Sequence, residues 1–401
     1  MPDPLNKPLQ ILVIAPHPFY QERGTPIACR LLCETLTGEN HQVDLLTYPE
    51  GNDIEIPNLS IFRTIKLPFL KNIPIGLSFK KLVCDGLLVF SLIWRFSRRR
   101  YDVIHAGEES VFLAGWMRFL HGARVVYDMD SSLADQVVEK FPTLGFLSRF
   151  LDAFERMAFR DAELVLPVCD ALAQKVYQVD RSKPLEILED VYFEPEDVKT
   201  EVEDLRKGIP ASIPMILYVG NLERYQGIDL LLEALHLLHK FGETRWALKL
   251  VGGNEADIER YRVRVQELDL GECVNFLGPR PLNQLPHLLE QADILLSPRI
   301  KGGNTPMKLY SYLASGKPVV ATRISSHTQA VDDKSSVLVN PDAESMAEGL
   351  RTLITNPEKG KSIGEAGRAL AYSRYSIATY RRKLLGSYKC LTTGMSRTLA
   401  V

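Results

Sequence analysis

The sequence predicts an α/β protein of two domains, each built on a parallel sheet. Three observations carry this. Short aliphatic and β-branched runs alternate with helix-period apolar stripes in both halves. One stretch rich in charge and proline, 180–212, interrupts the alternation near the middle. The length, 401 residues, suits two or three domains rather than one.

In the first half the spacing predicts strands at Ile11–Ala15, Val43–Tyr48, Asp102–His105, Arg124–Asp128 and Leu164–Val168. Between the first two, Ile27, Leu31, Leu32 and Leu36 form the apolar face of a helix. The charged stretch reads as a linker, 191–212, after a first domain of 1–190 and with one short strand at Glu186–Leu188 just before it. The pattern then restarts over 213–374. Its predicted strands are Met215–Val219, Leu248–Gly252, Val274–Leu277, Ile294–Ser297, Pro318–Thr322 and Val337–Asn340. Ile228, Leu231, Leu232, Leu235 and Leu238 make a clean helical stripe. Residues 375–401 end the chain with a further helix. Two doubly wound sheets facing a central cleft would bring their strand ends to one crevice, where open parallel sheets bind ligands.

Composition is ordinary, and the formal net charge of −2 gives no field for nucleic acid. Cys29, Cys33, Cys84, Cys169, Cys273 and Cys390 form no C-x-x-C pair and no zinc spacing, as expected of thiols in a reducing compartment. The start, MPDPLNKPLQ, lacks the layout of a signal peptide, and no run has the length to span a membrane. The expectation is a cytoplasmic protein.

The most informative stretch is SPRIKGGNTPMKLYSYLASGKPVVAT, 297–322. After a strand comes Gly302-Gly303-Asn304, then Thr305 as expected N-cap and Pro306 as expected first helical residue. Gly316 stops a helix of about ten residues. Its N-terminus offers free N–H groups and a positive dipole end to an anion. Lys308 in the first turn opposes that dipole, which makes sense either with an anion between them or as a solvated lysine. Lys308, Ser311 and Tyr312 share one expected face, and Leu309 and Leu313 another. In the first half, Gly24-Thr25-Pro26 repeats the device after the first strand, as a second anion site or as an ordinary loop.

These residues resemble the retaining GT-B glycosyltransferases of the group 1 type, glycosyltransferase family 4. The resemblance covers nearly the whole chain. It is most specific at YVGNLERYQGIDLLLEAL (218–235), LVGG (250–253), VNFLGPRP (274–281), ADILLSP (292–298) and KLYSYLASGKPVVAT (308–322). YDVIHAGEES and ARVVYDMDSSLADQ are similar to the family's second and third strand ends. The resemblance implies a GT-B fold, a nucleotide-sugar donor on the second domain and a saccharide or lipid-linked acceptor on the first. It also implies retention of configuration, no metal and no other cofactor, and a last helix that crosses back to the first domain.

The departures are specific. The family's Arg and Lys after the first strand of the second domain are Asn221 and Gln226 here, and its two glutamates fall on Gly303 and Ser311. The usual His at the third strand end of the first domain is Asp130. Three accounts fit: Arg299, Lys308 or Arg224 supplies the charge from elsewhere, the donor binds in a variant way, or activity is lost. The first is preferred, because Arg299, Lys308 and the Asn304-Thr305-Pro306 cap complete an anion site. Charge that builds on a departing diphosphate is stabilised by such cations and by a helix N-terminus. Glu108 and Asp130 stand just past strand ends as carboxylates for the sugar and the acceptor hydroxyl, or as loop caps and salt-bridge partners. The backbone at Gly278–Arg280 either reads the nucleotide base or forms a plain turn. Asp128-Met129-Asp130 has D-x-D spacing, but Asp128 closes a strand and no metal is expected. His17 and His105 also end strands and are expected to be packed or hydrogen-bonded.

Residues 79–100, FKKLVCDGLLVFSLIWRFSRRR, put an apolar helical run between Lys80–Lys81 and Arg95, Arg98, Arg99 and Arg100. That suits peripheral docking on an anionic membrane face, and equally a core helix with a basic end. Among other functions, the runner-up is a catalytically silent GT-B module that binds a nucleotide sugar or a partner protein. A GT-B epimerase would need more acids or a histidine in the cleft. A nicotinamide dehydrogenase lacks its G-x-G-x-x-G and a P-loop ATPase its G-x-x-x-x-G-K-[ST].

Overall fold

The computed structural model describes residues 7–22, 24–68, 70, 73, 78–132, 148–194 and 202–393. The chain divides into two compact units, one of residues 1–189 with 381–401 and one of 190–380.

In the first unit the elements run β1 (Gln10–Ala15), α1 (Gly24–Gly38), β2 (Gln42–Thr47), β3 (Leu59–Arg63), α2 (Phe79–Phe96), β4 (Val103–Gly107), α3 (Ser110–His121), β5 (Arg124–Met129), α4 (Ser148–Asp161), β6 (Leu164–Pro167) and α5 (Asp170–Val179). The six strands lie in the order β3-β2-β1-β4-β5-β6 and every pairing is parallel. Val13 pairs with Leu45 and with His105. Ile11–Ile14 are at most 2% exposed, as continuous aliphatic runs covered on both faces should be. β3 was not expected. It is an edge strand, partly exposed along its length, so its sequence LSIFR shows no buried run. The strand expected at Glu186–Leu188 is a single bridge, Val165 to Leu185, with Leu188 N–H donating to Pro167.

The second unit runs β7 (Met215–Val219), α6 (Ile228–Lys240), β8 (Ala247–Val251), α7 (Glu255–Glu267), β9 (Val274–Gly278), α8 (Leu285–Glu290), β10 (Ile294–Ser297), α9 (Met307–Ala314), β11 (Val319–Thr322), α10 (Ser325–Thr328), β12 (Val337–Val339), α11 (Ala343–Thr355) and α12 (Pro357–Arg374). Its sheet has the order β12-β11-β10-β7-β8-β9. The α6 stripe Ile228, Leu231, Leu232, Leu235 and Leu238 is wholly buried. Each such side chain contributes roughly 1.5–3 kcal/mol of burial.

Two boundaries differ from expectation. The segment 191–212 belongs to the second unit, because Tyr192 and Leu205 are buried in its core and Tyr192 N–H donates to Tyr375. The last helix, α13 (Ile377–Thr393), passes from the second unit to the first at residues 380–381 rather than near 375.

Candidate functional site

The densest set of predicted residues lies at the carboxyl ends of β7 and β10. β7 turns through Gly220 and Asn221 into the 3-10 turn Arg224–Gln226. Gly227 has φ +74°, and a Cβ there would stand 2.0 Å from the Pro298 carbonyl oxygen. Only glycine lets this turn lie against the loop after β10. Ile300 N–H donates to the Tyr225 carbonyl at 2.9 Å and locks the two together.

Lys308 bridges them from α9. Its Nζ donates to Gln226 Oε1 at 3.1 Å and stands 3.9 Å from the centre of the Tyr218 ring. Burial, and after it the Arg299 charge, push this ammonium well below the usual lysine range. Arg299 Nη1 donates to the Asn304 carbonyl at 3.0 Å and Nε to the Lys301 carbonyl at 2.6 Å, with the guanidinium over Tyr225. The structure thus brings together Asn221, Gln226, Arg299, Gly303, Asn304 and Lys308. Arg224 opens the 3-10 turn and is exposed.

Several expected roles need correction. Thr305 does not cap α9. Pro306, at φ −64° and ψ 126°, is the N-cap, and no side chain caps the helix. Thr305 Oγ1 instead accepts from Gln329 Nε2 at 3.0 Å. Ser311 does not face a ligand: it is buried, and its Oγ accepts from Phe193 N–H at 3.1 Å. The two-faced helix gives way to one buried from Leu309 to Leu313, because the sheet covers one side and α12 the other. Tyr312 does lie on the Lys308 side, its OH accepting from Val219 N–H at 2.7 Å. Arg280 turns from any base site to Glu203, with Nε 2.9 Å from the carboxylate. Thr25 is not an N-cap either, since α1 already includes Gly24.

At the carboxyl end of β4 the chemistry is acidic. Glu108, at φ 48°, and Glu109 share Lys81, whose Nζ stands 3.0 Å from Glu108 and 2.7 Å from Glu109. Burial raises the Glu108 carboxyl, but Lys81 outweighs it and the net shift is downward. Burial, then the Glu108 charge, push Glu109 up to about 7. Asp130 lies just past β5 and is half-buried. Its neighbour Asp128 accepts from His105 at 3.1 Å, and the other His105 nitrogen meets the Tyr388 hydroxyl at 2.8 Å, so both are structural partners. His17 Nδ1 meets the Pro18 carbonyl at 3.1 Å. Lys81 was read only as part of a basic flank. Its carboxylate partners lie 27 and 28 positions away, beyond any local pattern. Among the described residues, no group of three or more His, Cys, Asp or Glu stands together as a metal site.

On α2, Cys84, Leu88, Leu92 and Phe96 are buried, whereas Phe79, Leu82, Phe90, Ile93 and Trp94 are 46–78% exposed. Arg95 and Arg99 are committed to Asp44, at 2.8 and 2.9 Å. Arg98 lies over Trp94, and Arg98 and Arg100 are exposed. No described helix is long and apolar enough to cross a membrane.

Each unit carries a six-stranded parallel sheet, and comparison with known proteins places this architecture among GT-B folds. Residues 199–370 match the sequence model of "Glycosyl transferases group 1", and 23–186 that of "Glycosyl transferase 4-like domain". The D-inositol 3-phosphate glycosyltransferase of Corynebacterium jeikeium is 33% identical over 176 residues, 42% of each chain. The chain thus spans less than half the length of the first curated relatives it matches. Sucrose-phosphate synthase from Thermosynechococcus elongatus shares the fold, with TM-score 0.77 and 21% identity, covering 96% of this chain and all of that one. Anabaena HepE in complex with UDP gives TM-score 0.72 and 18% identity, over 95% and 99%. The chain has the GT-B fold, and its sequence matches a 4-like domain followed by a group 1 domain of glycosyl transferases.

Proposed function

We propose that this protein transfers a sugar, with retention and without a metal, from a UDP- or GDP-linked donor to a saccharide or lipid-linked acceptor. One observation carries the reading. Lys308 Nζ lies 3.1 Å from the side chain of Gln226, the position where the family resemblance places a lysine. A cation therefore stands one hydrogen bond from the expected place, reached from α9 instead of from the turn after β7. The desolvated ammonium gains most from an anion, because its charge is poorly compensated in the free protein. Its partners in holding a diphosphate are the Arg299 guanidinium and the uncapped start of α9, Pro306 onward.

In the reaction, the bond between the sugar C1 and the diphosphate oxygen breaks and its electron pair stays on the diphosphate. Lys308 and Arg299 stabilise that charge. The acceptor oxygen forms the new bond to C1, and its proton passes to the departing diphosphate. The exposed stripe of α2 with Arg98 and Arg100 supports peripheral attachment to the inner, anionic membrane face, which suits a lipid-linked acceptor.

The test is a thermal-shift screen of UDP- and GDP-sugars followed by product analysis. Lys308→Ala and Arg299→Ala are expected to weaken nucleotide binding at least tenfold, or about 1.4 kcal/mol. Wild-type affinity in both variants sinks the reading. Binding without any product, over a broad acceptor set, would favour a silent module.

A further inference from the structure

Behind the loop that carries Arg299 runs a buried hydrogen-bonded chain. Ser297 ends β10 and Thr322 ends β11, and both are wholly buried together with His327 of α10. The Thr322 carbonyl can only accept, so His327 Nδ1, 2.8 Å away, carries the proton. Nε2 is then the bare nitrogen and accepts from the Ser297 hydroxyl at 2.8 Å. The Thr322 hydroxyl donates to the Arg299 carbonyl, which also can only accept, and so its oxygen is an acceptor towards His327 Nδ1 at 3.1 Å. Every proton has one place, and the imidazole is neutral. Burial, together with the nearby Lys308 and Arg299 charges, holds His327 down at about 4 against the hydrogen bond to Thr322.

Two residues further on, Gln329 reaches the other end of the same loop. Its Nε2 donates to the Gly303 carbonyl at 2.9 Å and to Thr305 Oγ1 at 3.0 Å. Thr322 at the end of β11, backed by His327, thus holds the loop at Arg299, and Gln329, just after α10, holds it again at 303–305. A core position in a parallel sheet is ordinarily filled by an apolar side chain. Here three buried polar side chains are spent on a chain that ends on a single loop carbonyl.

We propose that His327 and Gln329 are positioning residues for the anion site, holding Arg299 and residues 303–305 in the arrangement that receives a diphosphate. This rests on the diphosphate reading of Arg299 and Lys308 given above. The physical gain is preorganisation: a loop already fixed in place loses less freedom when the ligand arrives.

A double-mutant cycle tests it, with UDP and GDP titrated into each full-length variant and melting temperatures recorded alongside. Thr322→Val keeps the shape and removes only the hydroxyl on Arg299. It is expected to weaken binding three- to tenfold in the wild-type background and to add nothing in Arg299→Ala. Gln329→Leu should weaken binding to a similar degree. His327→Gln keeps one donor and one acceptor and should stay within about twofold of wild type, while His327→Leu should lose as much as Thr322→Val. If Thr322→Val and His327→Leu bind as wild type, or Thr322→Val weakens both backgrounds equally, the positioning role is overturned and the diphosphate reading stands. If Arg299→Ala and Lys308→Ala both bind as wild type, the diphosphate reading itself fails and the positioning role goes with it. Should His327→Leu not fold, the Thr322→Val cycle decides alone.

Discussion

The carboxyl ends of β4 and β10 carry opposite chemistry. After β4, two carboxylates, Glu108 and Glu109, surround a single ammonium, Lys81. After β10, Arg299 is braced by two loop carbonyls and a tyrosine ring, and Lys308 by an amide and a second tyrosine ring. The first cluster is balanced within itself, so its charges mainly hold structure. In the second, the buried Lys308 ammonium meets an amide oxygen and a tyrosine ring, which suits the anionic ligand proposed for it. The same kind of sheet end is thus an ion-paired scaffold in one unit and, in the function proposed above, a receptor in the other.

The largest expected effect comes from forcing an acid into the second cluster where the family resemblance places one. Ser311 is 3% exposed and serves Phe193 N–H. Ser311→Glu would bury a carboxylate without a matched partner and should cost about 4 kcal/mol or more, read by urea unfolding. Gly303→Glu is the contrast. An added Cβ there meets nothing within 4 Å, and the site is exposed. It should leave stability within about 0.5 kcal/mol. If both substitutions are equally tolerated, the buried character of α9 is misread.

Next comes the balance of the acidic cluster. Lys81→Met removes the only ammonium seen with Glu108 and Glu109 among the described residues. Uncompensated partly buried carboxylates should cost about 3 kcal/mol at neutral pH, with much of the loss recovered near pH 4 as they protonate. A pH-independent loss would mean that packing of the lysine stem, not charge, is what α2 supplies.

A smaller effect isolates Glu109. Its carboxyl is raised to about 7, so the folded state binds a proton that the unfolded chain releases near its ordinary value. This stabilisation is complete below about pH 4 and is lost as the pH rises to about 7. Glu109→Gln should remove that slope, on the order of 2 kcal/mol between pH 5 and 7.5, measured as unfolding free energy. A variant with the wild-type slope would place the titration elsewhere.

Much of this was legible in the sequence, for physical reasons that differ by residue. Parallel strands buried on both faces must be aliphatic runs, so Ile11–Ala15 and Ile294–Ser297 stood out, while the half-exposed edge LSIFR did not. Lys308 and Arg299 were legible because helix punctuation is local. Ser311 was misplaced because the covering layer, α12, lies some fifty positions further on, and helical periodicity cannot show that both sides of a short helix are covered. His327 and Gln329 carried no signal, since their partners are brought together only by the ends of two strands.

The smallest effect concerns the outside of the first unit, where α2 repeats the contrast on one helix. Its inner arginines, Arg95 and Arg99, are bound to Asp44, whereas Arg98 and Arg100 are exposed beside Phe90, Ile93 and Trp94. Replacing all three of Arg98, Arg99 and Arg100 would confuse the two roles, because losing Arg99 also breaks the Asp44 pair. Arg98→Ala with Arg100→Ala leaves that pair alone. A basic residue near an anionic surface contributes about 1 kcal/mol, so the pair should lower partition onto phosphatidylserine-containing vesicles by roughly tenfold or more. Melting temperature should be unchanged. Flotation on neutral vesicles supplies the control: Phe90→Ser with Trp94→Ser should lower binding on both lipids, since apolar insertion does not depend on headgroup charge. Unchanged flotation of the arginine pair on the anionic lipid would leave the exposed stripe without a membrane role.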